Sequence, residues 1–167
     1  MEIKIKTGYK FAFLNGNLFV ITDFPKIGWG YITANADEAK AYGFGVITSG
    51  CGTKLNFLPI KDIAHTRGFY SDVYCKYKGN ELAIDSCYNS SFNVAPCTLE
   101  VALAVGFTAE KFNYEYAQMN VQITEIDEIY RRREKLKDFI FDVDPIKPIY
   151  KDGKWLIEPD ENGVYVI

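Results

Sequence analysis

The stretch TLEVALAVGFTAEKFNYEYAQMNVQITEIDEIYRRREKLKDFI, residues 98–140, decides how the rest of the chain is read. It lies in the longest proline-free run, and its one glycine is Gly106. Its pattern predicts a short helix from Thr98 to Val105 and a turn at Gly106-Phe107. A long helix then runs from Thr108 towards Ile140. Thr98 and Thr108 each precede an apolar-periodic run, where an N-cap hydroxyl accepts from an orphan N–H. Phe112, Tyr116, Met119, Ile123, Ile126 and Tyr130 recur at alternating intervals of four and three, a heptad seam. Ile129, Leu136, Phe139 and Ile140 widen the stripe, and Arg133 and Lys137 end it.

Such a seam spans roughly 27 Å of helix, whereas a typical strand covers about 17–20 Å. The excess calls for another helix, a second copy or a partner. Ile123, Ile126 and Tyr130 are therefore the expected contact surface for self-association, as in a dimer, or for a protein partner. Arg131, Arg132 and Arg133 form the only basic cluster. It reads either as a solvated face complementing the helix dipole or as an arginine clamp on an acidic partner.

Outside this stretch the signals are mostly β. Ile3 and Ile5 alternate with Lys4 and Lys6. Asn15-Gly16 separates Tyr9–Leu14 from Leu18–Thr22, and Asp152-Gly153 separates two runs near the end; both are hairpin signals. A three-stranded antiparallel start is expected. Residues 69–78 and 82–88 read as a strand pair around Gly79-Asn80, followed by a loop through Asn89-Ser90-Ser91 to Pro96. Asn35 to Tyr42 reads as a short helix capped by Asn35 and closed by Gly43. The expected fold class is α+β, a single domain over 1–167. In it, antiparallel β-structure from both ends of the chain, with a C-terminal β-hairpin over 148–167, packs against a helical hairpin over 98–140 that contains one long helix.

Composition sets further bounds. Hydrophobic residues are 48%, charged residues 25% and aromatics 16%, with a formal charge of −3. That supports a packed core and offers no bulk attraction to phosphate backbones or anionic membranes. No apolar run is long enough to span a bilayer, and the amino terminus alternates rather than forming an apolar signal core. A cytoplasmic protein is expected, in a host cytoplasm if the source is viral, with Cys51, Cys75, Cys87 and Cys97 reduced.

Catalytic signatures are sparse. Gly45 and Gly50 have P-loop spacing, but Cys51-Gly52 stand where Lys-Ser/Thr is needed, so the glycines read as turn and close-approach positions. The sole histidine, His65, and Cys51 in a glycine-flanked turn are the one nucleophile–base pair to test. No two cysteines or histidines stand at zinc-ligand spacing, so neither a metal nor a cofactor is expected. Among the carboxylates, Asp62, Asp72 and Asp85 fall in or near strands, without any pattern that selects two.

Residues 99–108, Leu-Glu-Val-Ala-Leu-Ala-Val-Gly-Phe-Thr, resemble the helix-turn-helix core of the arabinose-regulator family of transcription activators. The resemblance implies a DNA-binding regulator reading through 98–117. Glu100, Glu110 and Glu115 stand against one base, Lys111, so nucleic acid is not the expected partner. The leading expectation is a non-catalytic protein-interaction module. A short, acidic, Tyr/Phe/Asn-rich chain looks like many phage or mobile-element accessory proteins, among them anti-CRISPR-like inhibitors of host defence systems. An enzyme working at the Gly43–Thr53 loops with His65 or Cys51 is the alternative.

Overall fold

The computed structural model describes all 167 residues. In chain order the elements are β1 (Glu2–Lys4), β2 (Tyr9–Leu14), β3 (Asn17–Phe24), β4 (Gly28–Thr33), α1 (Ala36–Tyr42), β5 (Gly45–Thr48) and β6 (Lys54–Pro59). They continue with β7 (Gly68–Tyr77), β8 (Asn80–Tyr88), β9 (Ser91–Pro96), α2 (Leu99–Ala104), α3 (Ala109–Tyr114) and β10 (Met119–Gln122). The chain closes with β11 (Ile126–Lys135), β12 (Ile146–Lys151), β13 (Lys154–Trp155) and β14 (Val164–Val166).

The α+β expectation with a long helix is overturned: the protein is mostly antiparallel β-structure with three short helices. The two predicted helix starts are present, with Thr98 accepting from the Val101 N–H and Thr108 from the Lys111 N–H. The second helix stops at Tyr114, however, and 119–135 is two strands joined by a 3-10 turn at Ile123–Glu125. Val121, Ile123, Thr124, Ile126 and Ile129 are β-branched, which limits their side-chain freedom in a helix and suits a pleated surface. The heptad positions overlapped a second pattern, since Met119, Val121 and Ile123 also alternate. Burial separates the two readings. Val121, off the seam, is 1% exposed, whereas Tyr116, on it, is 70% exposed.

The chain falls into two compact units. The first comprises Met1–Gly8, Ser71–Arg133 and Asp144–Ile167. Its strands run β10-β9-β8-β7, then β11, β12 and β13, while β1 and β14 form a separate parallel pair. Thus β1 pairs with β14, not within a three-stranded amino-terminal sheet, and the last strand leaves the β12–β13 hairpin to meet β1. β9 occupies the region expected as a loop: Phe92, Val94 and Pro96 alternate inward along it. The core gathers Val73, Cys75, Leu82, Ile84, Phe92, Val94, Val121, Ile126, Ile129 and Ile149.

The second unit comprises Tyr9–Tyr70 and Glu134–Val143. Its strands run β2-β3-β4-β6-β5, around Ala12, Phe19, Ile21, Tyr31 and Phe139. Helix α1 is capped as its sequence indicates, with the Asn35 carboxamide oxygen accepting from the Asp37 and Glu38 N–H groups. In the β2–β3 turn both Asn15 and Gly16 have positive φ, 49° and 81°, the geometry that matches strand twist in a two-residue hairpin. The same geometry recurs at Asp152-Gly153 and at Lys78-Gly79, the latter one residue before the expected turn.

Candidate functional site

The residues expected to form a contact surface lie on β11 and the turn before it, in the first unit. Ile126 is buried in the core, and Ile123 packs against that core half-buried. With no long helix there is no apolar seam for a partner to cover. The three arginines are engaged within the unit. Arg131 Nη1 donates to the Lys6 carbonyl at 2.8 Å and to the buried Ser71 Oγ at 3.0 Å. Burial lowers its pKa below the usual guanidinium value. Arg132 Nη2 donates to both oxygens of Glu81, at 2.5 and 2.6 Å, and its guanidinium lies 4.3 Å from the Tyr74 ring centroid. Arg133 Nε donates to the Asp144 carbonyl at 2.7 Å. A basic cluster in sequence is thus three separate internal contacts, because alternate strand residues project to opposite faces.

A pairing irregularity between Ile129 and Tyr130 opposite β12 buries both neighbours. Ile129 belongs to the core, and Tyr130 stacks on Tyr74, with ring centroids 6.2 Å apart. Beside Tyr130 opens a cleft of about 310 Å³, lined by charged residues (Lys76, Glu81, Glu128, Lys151) and by Ile129, Ile146, Pro148 and Tyr150. Glu128 is shared by two lysines, its Oε2 3.1 Å from Lys76 Nζ and its Oε1 2.9 Å from Lys151 Nζ. The hydrogen bond from Lys151, then that from Lys76, holds the Glu128 carboxyl below its usual range.

Burial would raise Glu81, but hydrogen bonds from Tyr130 and Arg132 outweigh it and leave the carboxyl depressed. Burial, then the bond to Glu81, pushes the Tyr130 phenol up. The phenol therefore stays protonated and donates to Glu81. The cleft's lining includes neither a thiol nor an imidazole. Each of its two carboxylates has two side-chain partners, Tyr130 and Arg132 for Glu81 and Lys76 and Lys151 for Glu128.

A second surface lies on the helical pair. Both helices have six residues; Leu99, Leu103 and Tyr114 on them and Tyr116 just after α3 are exposed. Tyr114 is 85% exposed. Strand β8 skips a pairing with β9 between Ile84 and Ser86, leaving Asp85 without a β9 partner in the ladder. The Tyr116 hydroxyl donates to Asp85 Oδ2 at 3.0 Å, and Gln118 Nε2 donates to the same oxygen at 2.5 Å. That hydrogen bond to a carboxylate raises the Tyr116 phenol. Glu100, Glu110 and Glu115 are exposed as Asp85 is, and Lys111 Nζ lies 3.4 Å from Glu115 Oε2. The exposed charged residues of this stretch are acidic, and its exposed aromatic residues are tyrosines. This surface was legible only in part: the acids of 98–117 stand in the sequence, but Asp85 is brought to Tyr116 by the sheet.

The proposed nucleophile and base both lie in the second unit, without a hydrogen bond between them. His65 Nδ1 is 2.7 Å from Asp62 Oδ2, on a side chain that is 83% exposed. Cys51 sits between β5 and β6 with its Sγ 3.0 Å from Ser49 Oγ and 3.5 Å from Thr53 Oγ1. Those hydroxyls, Ser49 foremost, lower the thiol to about 7. No group of three His, Cys, Asp or Glu side chains stands close enough to hold a metal ion, and no helix is long and apolar enough to cross a membrane.

The four thiols should therefore separate by reactivity. Iodoacetamide is expected to alkylate Cys51 first, with a rate that rises through a midpoint at about 7 as the thiolate forms. Ser49→Ala should move that midpoint upward. Cys75, buried and pushed up to about 12, should react only after denaturation. A Cys51 midpoint in the parent protein no lower than that of a free thiol would refute the hydroxyl contacts.

Comparison of the chain with protein-family models, with curated proteins and with solved structures found no match.

Proposed function

We propose that the protein is a non-catalytic binding module whose contact surface is the acidic, tyrosine-bearing face of α2 and α3, and that its partner is a basic protein. The observation that carries this reading is the exposure of Tyr114, Tyr116 and Leu103 amid Glu100, Glu110, Glu115 and Asp85. Tyrosine gives contact area at low entropic cost, and acidic surroundings steer a basic partner and select against others. Within that class, the composition fits a phage or mobile-element accessory protein, anti-CRISPR-like in action. It would inhibit a host defence system by covering the basic surface with which a host protein holds nucleic acid.

The test compares immobilised parent protein with a Tyr114→Ala/Tyr116→Ala variant in host-cell lysate. The parent is expected to retain a basic nucleic-acid-binding protein that salt releases. The variant should retain it at least roughly tenfold more weakly, as loss of central aromatic contacts does. The purified partner should then lose nucleic-acid binding on addition of the parent chain. Equal retention by parent and variant, or a retained partner without basic surface, would overturn the reading.

A further inference from the structure

At the cleft on β11 and β12 three cations form ion pairs with two carboxylates, and Asp152 adds a more distant negative charge beside Lys151. Glu81 is taken by Arg132. Glu128 is held by both Lys76 and Lys151, one to each oxygen. Two ammonium groups thus share one carboxylate. Each ammonium carries three donors, and one from each is spent on Glu128. The side chains line the cleft and are about half exposed, 49% for Lys76 and 54% for Lys151, so the remaining donors are open to solvent.

Behind them the lining is apolar, with Ile129 at the base and Ile146, Pro148 and Tyr150 along β12. Ile146 is 45% exposed, a large apolar side chain left open beside the charges. The volume, about 310 Å³, is at the lower end of the range for small-ligand sites. A cation would meet two ammonium groups and find both carboxylates already engaged. A neutral apolar molecule would leave the ammonium donors unmatched, and a multiply charged anion would leave charge over and waste the apolar wall.

We propose that this cleft binds a small amphipathic monocarboxylate. Its carboxylate bridges Lys76 and Lys151 at the mouth, and its aliphatic or aromatic body lies on Ile129, Ile146 and Pro148. None of the lining residues belongs to α2 or α3, so the site is independent of the protein-binding reading above.

The test is a titration of the isotope-labelled full chain with 3-phenylpropionate, followed by amide chemical shifts, with 3-phenylpropan-1-ol as the uncharged comparator. Saturable shifts are expected at Ile129, Tyr130, Ile146, Tyr150 and Lys151. The alcohol should bind roughly five- to tenfold more weakly, because it lacks the charged acceptor. Lys151→Gln and Lys76→Gln should each weaken the carboxylate roughly fivefold by the same loss. Lys54→Gln, on the second unit, should leave its affinity unchanged. Both cleft lysines are exposed at the surface, and the ligand-free amide pattern of each variant reports whether its fold is kept. Shifts that do not saturate, equal binding of the alcohol, or indifference to both lysine substitutions would overturn the site.

Discussion

Ile126→Asp is expected to unfold the first unit rather than to disturb an association surface. Ile126 is 4% exposed, in the cluster that holds Val121, Ile129, Phe92 and Ile149. The substitution removes the burial of an isoleucine side chain, worth about 1.5–3 kcal/mol. It also puts an ionisable group where no partner stands, and the combined loss should be about 4 kcal/mol or more. Urea unfolding of the full chain, read with hydrogen exchange at β8, β9 and β11, would measure it. Ile126→Val, which keeps the shape and removes one methylene, should cost only about 1 kcal/mol. A variant that kept its native circular dichroism while losing a partner or a second copy would show Ile126 to be a surface residue, as the helical reading required.

Gly30→Ala should be the most damaging single-methyl change in the second unit. A Cβ at Gly30 would lie 2.1 and 2.2 Å from two ring atoms of Phe57 and 2.9 Å from the Leu58 carbonyl oxygen. Phe57 is 3% exposed, and its ring meets Phe24 edge-on with centroids 5.6 Å apart, so it has little room to withdraw. The Leu58 carbonyl is backbone, in the strand that pairs with β4. Overpacking of this kind costs about 3 kcal/mol. Shrinking the ring should return part of it: Gly30→Ala with Phe57→Leu is expected to be less destabilised than the sum of the two single changes, as contacting residues are. Strict additivity, or an unchanged melting temperature for Gly30→Ala, would mean that ring and glycine are not in contact.

Gly30 belongs to one of three Gly-x-Gly units between Gly28 and Gly52. The sequence reads them as turn and close-approach positions, and Gly30 is a close approach. Which glycine admits an aromatic ring depends on the pairing of β4 with β6, and no spacing along the chain encodes it.

Local devices were legible because their physics is local. Asn35 and Gly43 bracket α1, Thr98 and Thr108 start α2 and α3, and Asn15-Gly16 and Asp152-Gly153 turn their hairpins. Each is a hydrogen bond or a backbone angle decided within a few residues. The fate of 119–135 was not decided there. Its apolar residues fit a helical seam and a strand almost equally well, and the choice fell to partners distant in sequence. β9 supplies the ladder for Met119–Gln122, and β7 and β12 flank Ile126–Lys135. Once those ladders form, backbone groups are satisfied between strands, and β-branched side chains pack on a pleated face.

The same step buried Ile126 and Tyr130 and arranged the charged groups beside Tyr130. Pairing with β12 set Lys151 on Glu128, and pairing with β7, itself paired with β8, brought Lys76 to Glu128 and Glu81 to Arg132. The skipped pairing in β8 brought Asp85 to Tyr116. By itself the sequence determined the caps, the turns and the acidity of 98–117. The tertiary structure alone decided the long strand in place of the long helix, because hydrogen-bond partners and burial for that stretch come from strands that are not its neighbours in the chain.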